Sequence, residues 1–225
     1  NIHLPLVSLS DVLQNSVAIC EEVNKLCRPL EHFTHYLQQG YYPFGAEGFA
    51  TYNQRVENTV ELLLNIELPQ LRKVDIGNIR KLKALLSVLA SEVPMLVDTA
   101  KLSTLLGISR NTLLAYLEYL DEAKLIKRLY SDDLSVKKMQ KPDKILMDNC
   151  NLLKVLALKE PNIGTLRETF FCNQLGYQHQ VEYSKQGDFL IDHQITFEIG
   201  GQTKEGKQVA AIENAYIVAD DIEYS

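Results

Sequence analysis

Three carboxylates carry the strongest chemical signal in this chain: Glu168, Asp188 and Glu198. The runs Gly187-Asp188-Phe189-Leu190-Ile191 and Thr196-Phe197-Glu198-Ile199 read as strands, which places Asp188 and Glu198 on neighbouring segments. Facing carboxylates are a hard oxygen donor set for a divalent cation such as Mg²⁺. A cation held in that way activates water or clamps a phosphoryl oxygen. Glu168, on the preceding helix, would be the third ligand. It also has a structural reading, because Thr165 and Glu168 are spaced as a capping box, which would leave Asp188 and Glu198 as relics of a fold.

A second set of residues is suited to DNA. Ser109, Arg110, Asn111 and Thr112 open a helix, where base edges and phosphates are met in helix-turn-helix proteins. Lys127, Arg128, Lys137, Lys138 and Lys141 follow in and near a strand pair. Glu118, Asp121, Glu122, Asp132 and Asp133 dilute that field, and phosphate binding depends on it. The same helices can instead dock a protein partner. The net charge of −6 excludes a generally basic surface, so any nucleic-acid contact must be local.

Other chemistries find little support. No G-x-x-x-x-G-K-[ST] segment occurs, so the pair Gly200-Gly201 reads as a turn ending a strand rather than a phosphate cradle. The histidines are scattered; His32 and His35 share a helix face but lack a third zinc ligand. Cys20, Cys27, Cys150 and Cys172 form no C-x-x-C pair, which suits free thiols in a reducing cytoplasm. No apolar run is long enough to span a bilayer.

The elements that must position these residues follow from periodicity and punctuation. Ser10 or Asp11 would cap a first helix with Val12, Leu13, Val17 and Ile19 inward. Pro29 breaks it, a short helix leads to the aromatic turn Gly40-Tyr41-Tyr42-Pro43, and a long helix runs from Tyr52 to about Ile66, ending at Leu68-Pro69. Helices are expected over Ile76–Val93, Thr99–Leu106 (closed by Gly107) and Ser109–Ala123, then strands at Leu125–Tyr130 and Lys144–Met147 flanking a wing. Beyond Asn149 the pattern predicts helices at Leu152–Ala157 and from Thr165. Strands follow at Gln180–Tyr183, Asp188–Ile191, Thr196–Ile199 and Ala215–Val218, with a helical stretch over Lys207–Asn214 before the last.

Three segments in order carry a family resemblance: Tyr36-Leu37-Gln38-Gln39-Gly40-Tyr41-Tyr42-Pro43, Leu106-Gly107-Ile108-Ser109-Arg110-Asn111-Thr112, and Gly164-Thr165-Leu166-Arg167-Glu168 through Gly187-Asp188 to Phe197-Glu198-Ile199-Gly200. Together they resemble the C-terminal half of a prokaryotic AAA-type ATPase family, most like its Bacteroides-type versions. Its members join a P-loop domain to a helical lid, a winged helix and a restriction-endonuclease-like tail.

The resemblance implies a mixed fold class: an all-α lid over 1–73, a winged helix-turn-helix over 74–149, and a small α/β restriction-endonuclease-like domain over 150–225. Both ends look cut, as in a piece of a longer protein, so ATP and Mg²⁺ would be held by a P-loop domain outside this chain. In the nuclease-like pattern the second strand carries E-x-K, whose lysine orients the attacking water. Here it reads Glu198-Ile199-Gly200, so cleavage is in doubt. Lys204 and Lys185 are the nearest substitutes, Lys204 in an expected loop. The expected function is a regulatory, nucleic-acid-interacting region with a degenerate nuclease-like unit. The alternatives are a protein-interaction or oligomerisation module and a metal-dependent nuclease.

Overall fold

The computed structural model describes residues 6–72, 76–132 and 141–222 as a mixed α/β chain, with an α-helical first part and two small sheets. The helix α1 (Leu9–Leu26) starts two residues earlier than a cap at Ser10 would allow. Ser8 is its cap, and Asp11 returns the bond to the Ser8 backbone in a closed capping box. Asn15 leaves helical geometry, and the resulting kink turns the apolar stripe. No α1 residue is fully buried, and Val12, Val17 and Leu26 stay exposed, contrary to the inward face expected for Val12 and Val17. Pro29 sits in the first turn of α2 (Pro29–Gln39), where its missing N–H costs nothing.

The aromatic turn leads into α3 (Tyr52–Leu62). Its continuation passes through a π-turn, Leu63–Glu67, into α4 (Leu68–Arg72), so Leu68-Pro69 does not end the helical run. Pro69 lies in the first turn after the π segment, where it breaks no established ladder.

From α5 (Ile76–Glu92) the chain enters β1 (Met95–Leu96), a short strand the sequence reading missed. Then come α6 (Thr99–Leu106), α7 (Arg110–Glu122), β2 (Ile126–Leu129) and β3 (Lys144–Met147). Asp98 caps α6, and Gly107 ends it at φ 59°, in the left-handed region where a side chain is disfavoured. The sheet order is β1-β3-β2, all antiparallel.

Asn149 caps α8 (Cys150–Leu156), and Asn162 caps α9 (Ile163–Leu175) by accepting from the Thr165 N–H at 2.8 Å. Thr165 is therefore inside α9, its hydroxyl donating to the Val93 carbonyl, and the Thr165–Glu168 capping box does not form. The second sheet has the order β4 (Val181–Tyr183), β5 (Phe189–Ile191), β6 (Ile195–Gly200), β7 (Ala215–Ala219). β4, β5 and β6 pair antiparallel, whereas β7 lies parallel to β6. Residues 207–214 form successive turns rather than a helix. Gly206 at φ 61° turns the chain, and Val209 is the buried anchor of the segment.

The larger hydrophobic core runs from Tyr52 and Val56 on α3 through Leu82, Leu85 and Leu89 on α5 to Leu113 and Leu117 on α7, and on to Leu152 and Leu166. The smaller one places Phe189, Ile191, Phe197 and Ile199 of the second sheet with Cys172 on α9, and with Leu129 and Leu146 from the first sheet. Tyr183 N–H donates to the Tyr130 carbonyl at 2.9 Å, beside a parallel bridge between Ser131 and Tyr183. Asn151 binds the early helices to α8: its Oδ1 accepts from Tyr41 N at 2.9 Å and from the Tyr52 hydroxyl, and its Nδ2 donates to the Tyr36 and Leu37 carbonyls.

Candidate functional site: two lysines among three carboxylates

Each acid of the expected trio comes from a different element. Glu168 lies on α9, Asp188 immediately precedes β5, and Glu198 sits in the middle of β6. Glu198 is 2% exposed, the deepest ionisable side chain of the group. The Asp188 backbone N–H donates to the Phe197 carbonyl at 2.8 Å, and Asp188 Oδ2 accepts from the Ile199 N–H at 2.7 Å. Asp188 and Glu198 are therefore fixed beside each other by strand pairing and by the Asp188 side chain's bond to the Ile199 N–H.

Lysines answer two of the three acids. Lys144 Nζ, from the start of β3, reaches Glu168 Oε2 at 2.5 Å and stands 5.0 Å over the Phe189 ring. Lys204 Nζ reaches Glu198 Oε1 at 2.8 Å. A Cβ built on Gly200 would stand only 2.6–2.7 Å from Cβ, Cγ and Cδ of Lys204. The missing side chain at the third position of Glu198-Ile199-Gly200 is what admits the lysine from four residues on. Gly201 does the same for Arg167, whose guanidinium would meet a Cβ there at 3.0 Å and instead binds Asp220 at 2.8 Å. The glycine pair ends β6, as the sequence suggested, and it also makes room for two cations. Lys204 is one of the two substitutes that the sequence offered for the missing lysine, and it lies in a loop as expected, whereas no sequence signal marked Lys144.

The electrostatics follow from burial. Burial pushes the Glu168 carboxyl up, Lys144 and Lys204 oppose that push, and Asp188 adds to it. The hydrogen bond to Glu198 raises the Lys204 ammonium above its ordinary value against the cost of burial, with Asp188 and Glu168 acting in the same sense. Glu198 Oε2 is buried and accepts no hydrogen bond. Three oxygen donors suit a hard cation in kind. In position, Glu168 and Glu198 each already hold an ammonium, so a cation entering here competes with Lys144 and Lys204.

The residues expected at a DNA contact are placed at one end of α7. Ser109 caps the helix by accepting from the Thr112 N–H at 3.1 Å, and the two hydroxyls lie 2.8 Å apart. Ser109, Arg110 and Asn111 are exposed and Thr112 is half-buried. Leu113, Tyr116, Leu117 and Leu120 bury the opposite face. Two of the three acids of the same helix lie at its other end, where Asp121 binds Arg128 at 3.1 Å and Glu122 binds Arg72, and Glu118 is exposed one turn before them. Lys137 and Lys138 fall outside the described residues, as does Asp133. Cys20, Cys27, Cys150 and Cys172 are free thiols, and burial pushes Cys150 and Cys172 up to about 12.

Against known families, the model described as Domain of unknown function (DUF8612) matches residues 30–162, more than half of the chain, and the chain belongs to that family. No curated protein and no solved structure matches it. No helix among the described residues is long and apolar enough to cross a membrane.

Proposed function

We propose that this member of the DUF8612 family is the regulatory, nucleic-acid-contacting C-terminal region of an AAA-type ATPase. In this reading residues 74–149 are a winged helix, residues 150–225 a degenerate restriction-endonuclease-like unit, and ATP with its Mg²⁺ belongs to a P-loop domain outside the chain. The supporting observation is the polarity of α7. Its exposed N-terminal turn offers Arg110 and Asn111 beside the positive end of the helix dipole, while Asp121 and Glu122 are engaged by arginines at the far end. Eleven residues at about 1.5 Å each separate Arg110 from Asp121 by roughly 16 Å. That is about twice the screening length at physiological salt, so the acids hardly weaken the field at Arg110.

Fluorescence anisotropy with a labelled DNA duplex tests this reading. Weak binding that falls steeply with salt and is lost in Arg110→Glu is the expected result. No binding at low salt overturns it. A defined oligomer indifferent to Arg110→Glu would favour the protein-interaction alternative.

The Lys204–Glu198 pair favours a second reading, a metal-dependent nuclease in which Lys204 stands in for the lysine absent at Gly200. The carboxylates of Glu168, Asp188 and Glu198 would hold Mg²⁺, whose chemistry is to activate the attacking water, and Lys204 would orient that water. Plasmid cleavage in Mn²⁺ that disappears in both Asp188→Ala and Lys204→Met would establish it. Absence of cleavage in Mg²⁺ and Mn²⁺ would end it.

A further inference from the structure

Asp132, Glu182 and His193 meet on the opposite flank of the second sheet's first strands. Among the described residues they are the group of His, Cys, Asp and Glu whose ligand atoms all lie within 4.8 Å of one another. Asp132 follows Ser131, the residue that bridges to Tyr183. Glu182 is the middle residue of β4. His193 is the second residue of the turn joining β5 to β6, with Asp192 and His193 both left-handed at φ 51° and 59°. His193 Nδ1 stands 2.8 Å from Asp132 Oδ1 and 2.9 Å from Glu182 Oε2.

One ring nitrogen carries at most one proton, so it cannot satisfy two carboxylates. The excess of acceptors is visible at Glu182. Its side chain is 9% exposed, and its Oε2 is buried and accepts no hydrogen bond, although it points at the imidazole. Gln180 Nε2 serves only the other oxygen, at 3.2 Å. Asp192 is not part of the group, because its two oxygens take His179 Nδ1 and Gln180 N–H. A buried carboxylate oxygen left in this condition is costly unless a cation answers it.

We propose that Asp132, Glu182 and His193 bind a divalent transition-metal ion, His193 through Nδ1 and the acids through one oxygen each, with water in the remaining positions. One imidazole and two carboxylates suit Zn²⁺ or Mn²⁺, whereas Mg²⁺ and Ca²⁺ prefer oxygen ligands alone. The ion would join the end of β2 to β4 and to the β5–β6 turn, fastening the two sheets at the place where Tyr183 and Tyr130 share a single backbone bond. The site shares no ligand with Glu168, Asp188 and Glu198 and does not depend on nucleic-acid binding or cleavage.

Calorimetric titration of the metal-stripped chain with Zn²⁺ is the test, with thermal unfolding as the second readout. One saturable equivalent is expected, with a rise in Tm. Glu182→Gln and His193→Asn should each weaken binding more than about tenfold; asparagine tolerates the left-handed turn. Asp188→Asn should leave the affinity unchanged. Asp132→Asn and His193→Asn, both at exposed positions, serve if the buried variant Glu182→Gln fails to fold by circular dichroism. Lack of a saturable equivalent overturns the site. So does zinc binding that survives His193→Asn and Asp132→Asn, or that is lost in Asp188→Asn.

Discussion

Lys204 stands 2.8 Å from Glu198 because Gly200, two residues beyond that glutamate, has no side chain to keep it out. The cation of this ion pair comes from the loop after β6, four residues beyond the glycine that makes room for it. Glu198 is nearly inaccessible, and among the described residues Lys204, at 34% side-chain exposure, is the cation paired with it.

Lys204→Met should therefore strand a buried carboxylate. Loss of one partner of a fully buried pair costs about 3–5 kcal/mol. Solvent reaches Lys204, which reduces the expected loss to roughly 1–3 kcal/mol. Glu198→Gln in the same background should restore most of it. Urea unfolding of the parent and the two variants measures both effects, and a loss below a few tenths of a kcal/mol for Lys204→Met would show that the pair contributes nothing.

The cap on α7 has its own cost. Ser109→Ala removes the acceptor for the Thr112 N–H and should destabilise the chain by about 1 kcal/mol, seen as a lower Tm. If the DNA reading holds, Ser109→Ala should weaken duplex binding far less than Arg110→Ala. The latter should reduce the slope of log K against log salt by about 1. Equal losses from the two variants would argue that the cap's role is more than structural.

Asp148 sets a pH dependence. Burial pushes its carboxyl above the ordinary value, and Asn149, Lys124, Lys127 and Tyr41 offset this only in part. The folded chain keeps that proton to higher pH than the unfolded chain does. Stability must then fall as pH rises from the unfolded value, about 3.9, through the raised folded value, and stay level above it. Asp148→Asn should remove this descent, because the neutral amide has no proton to lose as the pH rises. Glu168 slopes in the same direction, so the readout is the difference between the Tm–pH curves of variant and parent. Identical curves would refute the assignment.

Asn151 is the most sensitive polar residue. Asn151→Leu takes a partner from the Tyr52 hydroxyl, the Tyr41 N–H and the Tyr36 and Leu37 carbonyls, although the Tyr36 carbonyl still accepts from Gly40 N–H and the Tyr52 hydroxyl from Tyr42 N–H. Each abandoned buried group costs about 1–3 kcal/mol. A total loss of at least roughly 3 kcal/mol is expected in chemical unfolding, more than for Ser109→Ala. A loss near that of a surface substitution would mean that water replaces all four bonds.

The sequence was readable where one local rule acted alone. Gly107 closing α6, Ser109 opening α7 and the strand around Glu198 all follow from periodicity and punctuation over a few residues. It misled where two local options competed. Ser8 outcompeted Ser10 as a cap because Asp11 could return the bond. Asn162 outcompeted Thr165, which freed Glu168 for Lys144. Lys207–Asn214 had an apolar spacing fit for a helix, yet the left-handed Gly206 and the single anchor Val209 make turns of it. The candidate site was half legible. Its acids lie on elements with clear patterns, but both lysines arrive from distant or irregular segments, and no spacing rule links Lys144 to Glu168. Asp132, Glu182 and His193 left no trace in the sequence, because a strand, a turn and the segment after β2 bring them together.

The Asn151 node also says how the chain would behave if it were cut. Its four bonds reach residues 36, 37, 41 and 52 from a helix about a hundred positions later. A protease that nicks the exposed Glu47-Gly48 corner would sever the covalent path between α2 and α3 while leaving both ends held by the same carboxamide. The two pieces should travel together on a sizing column under native conditions and separate only in denaturant. Residues 36–41 are thus held against the later helices by hydrogen bonding as much as by the peptide bond.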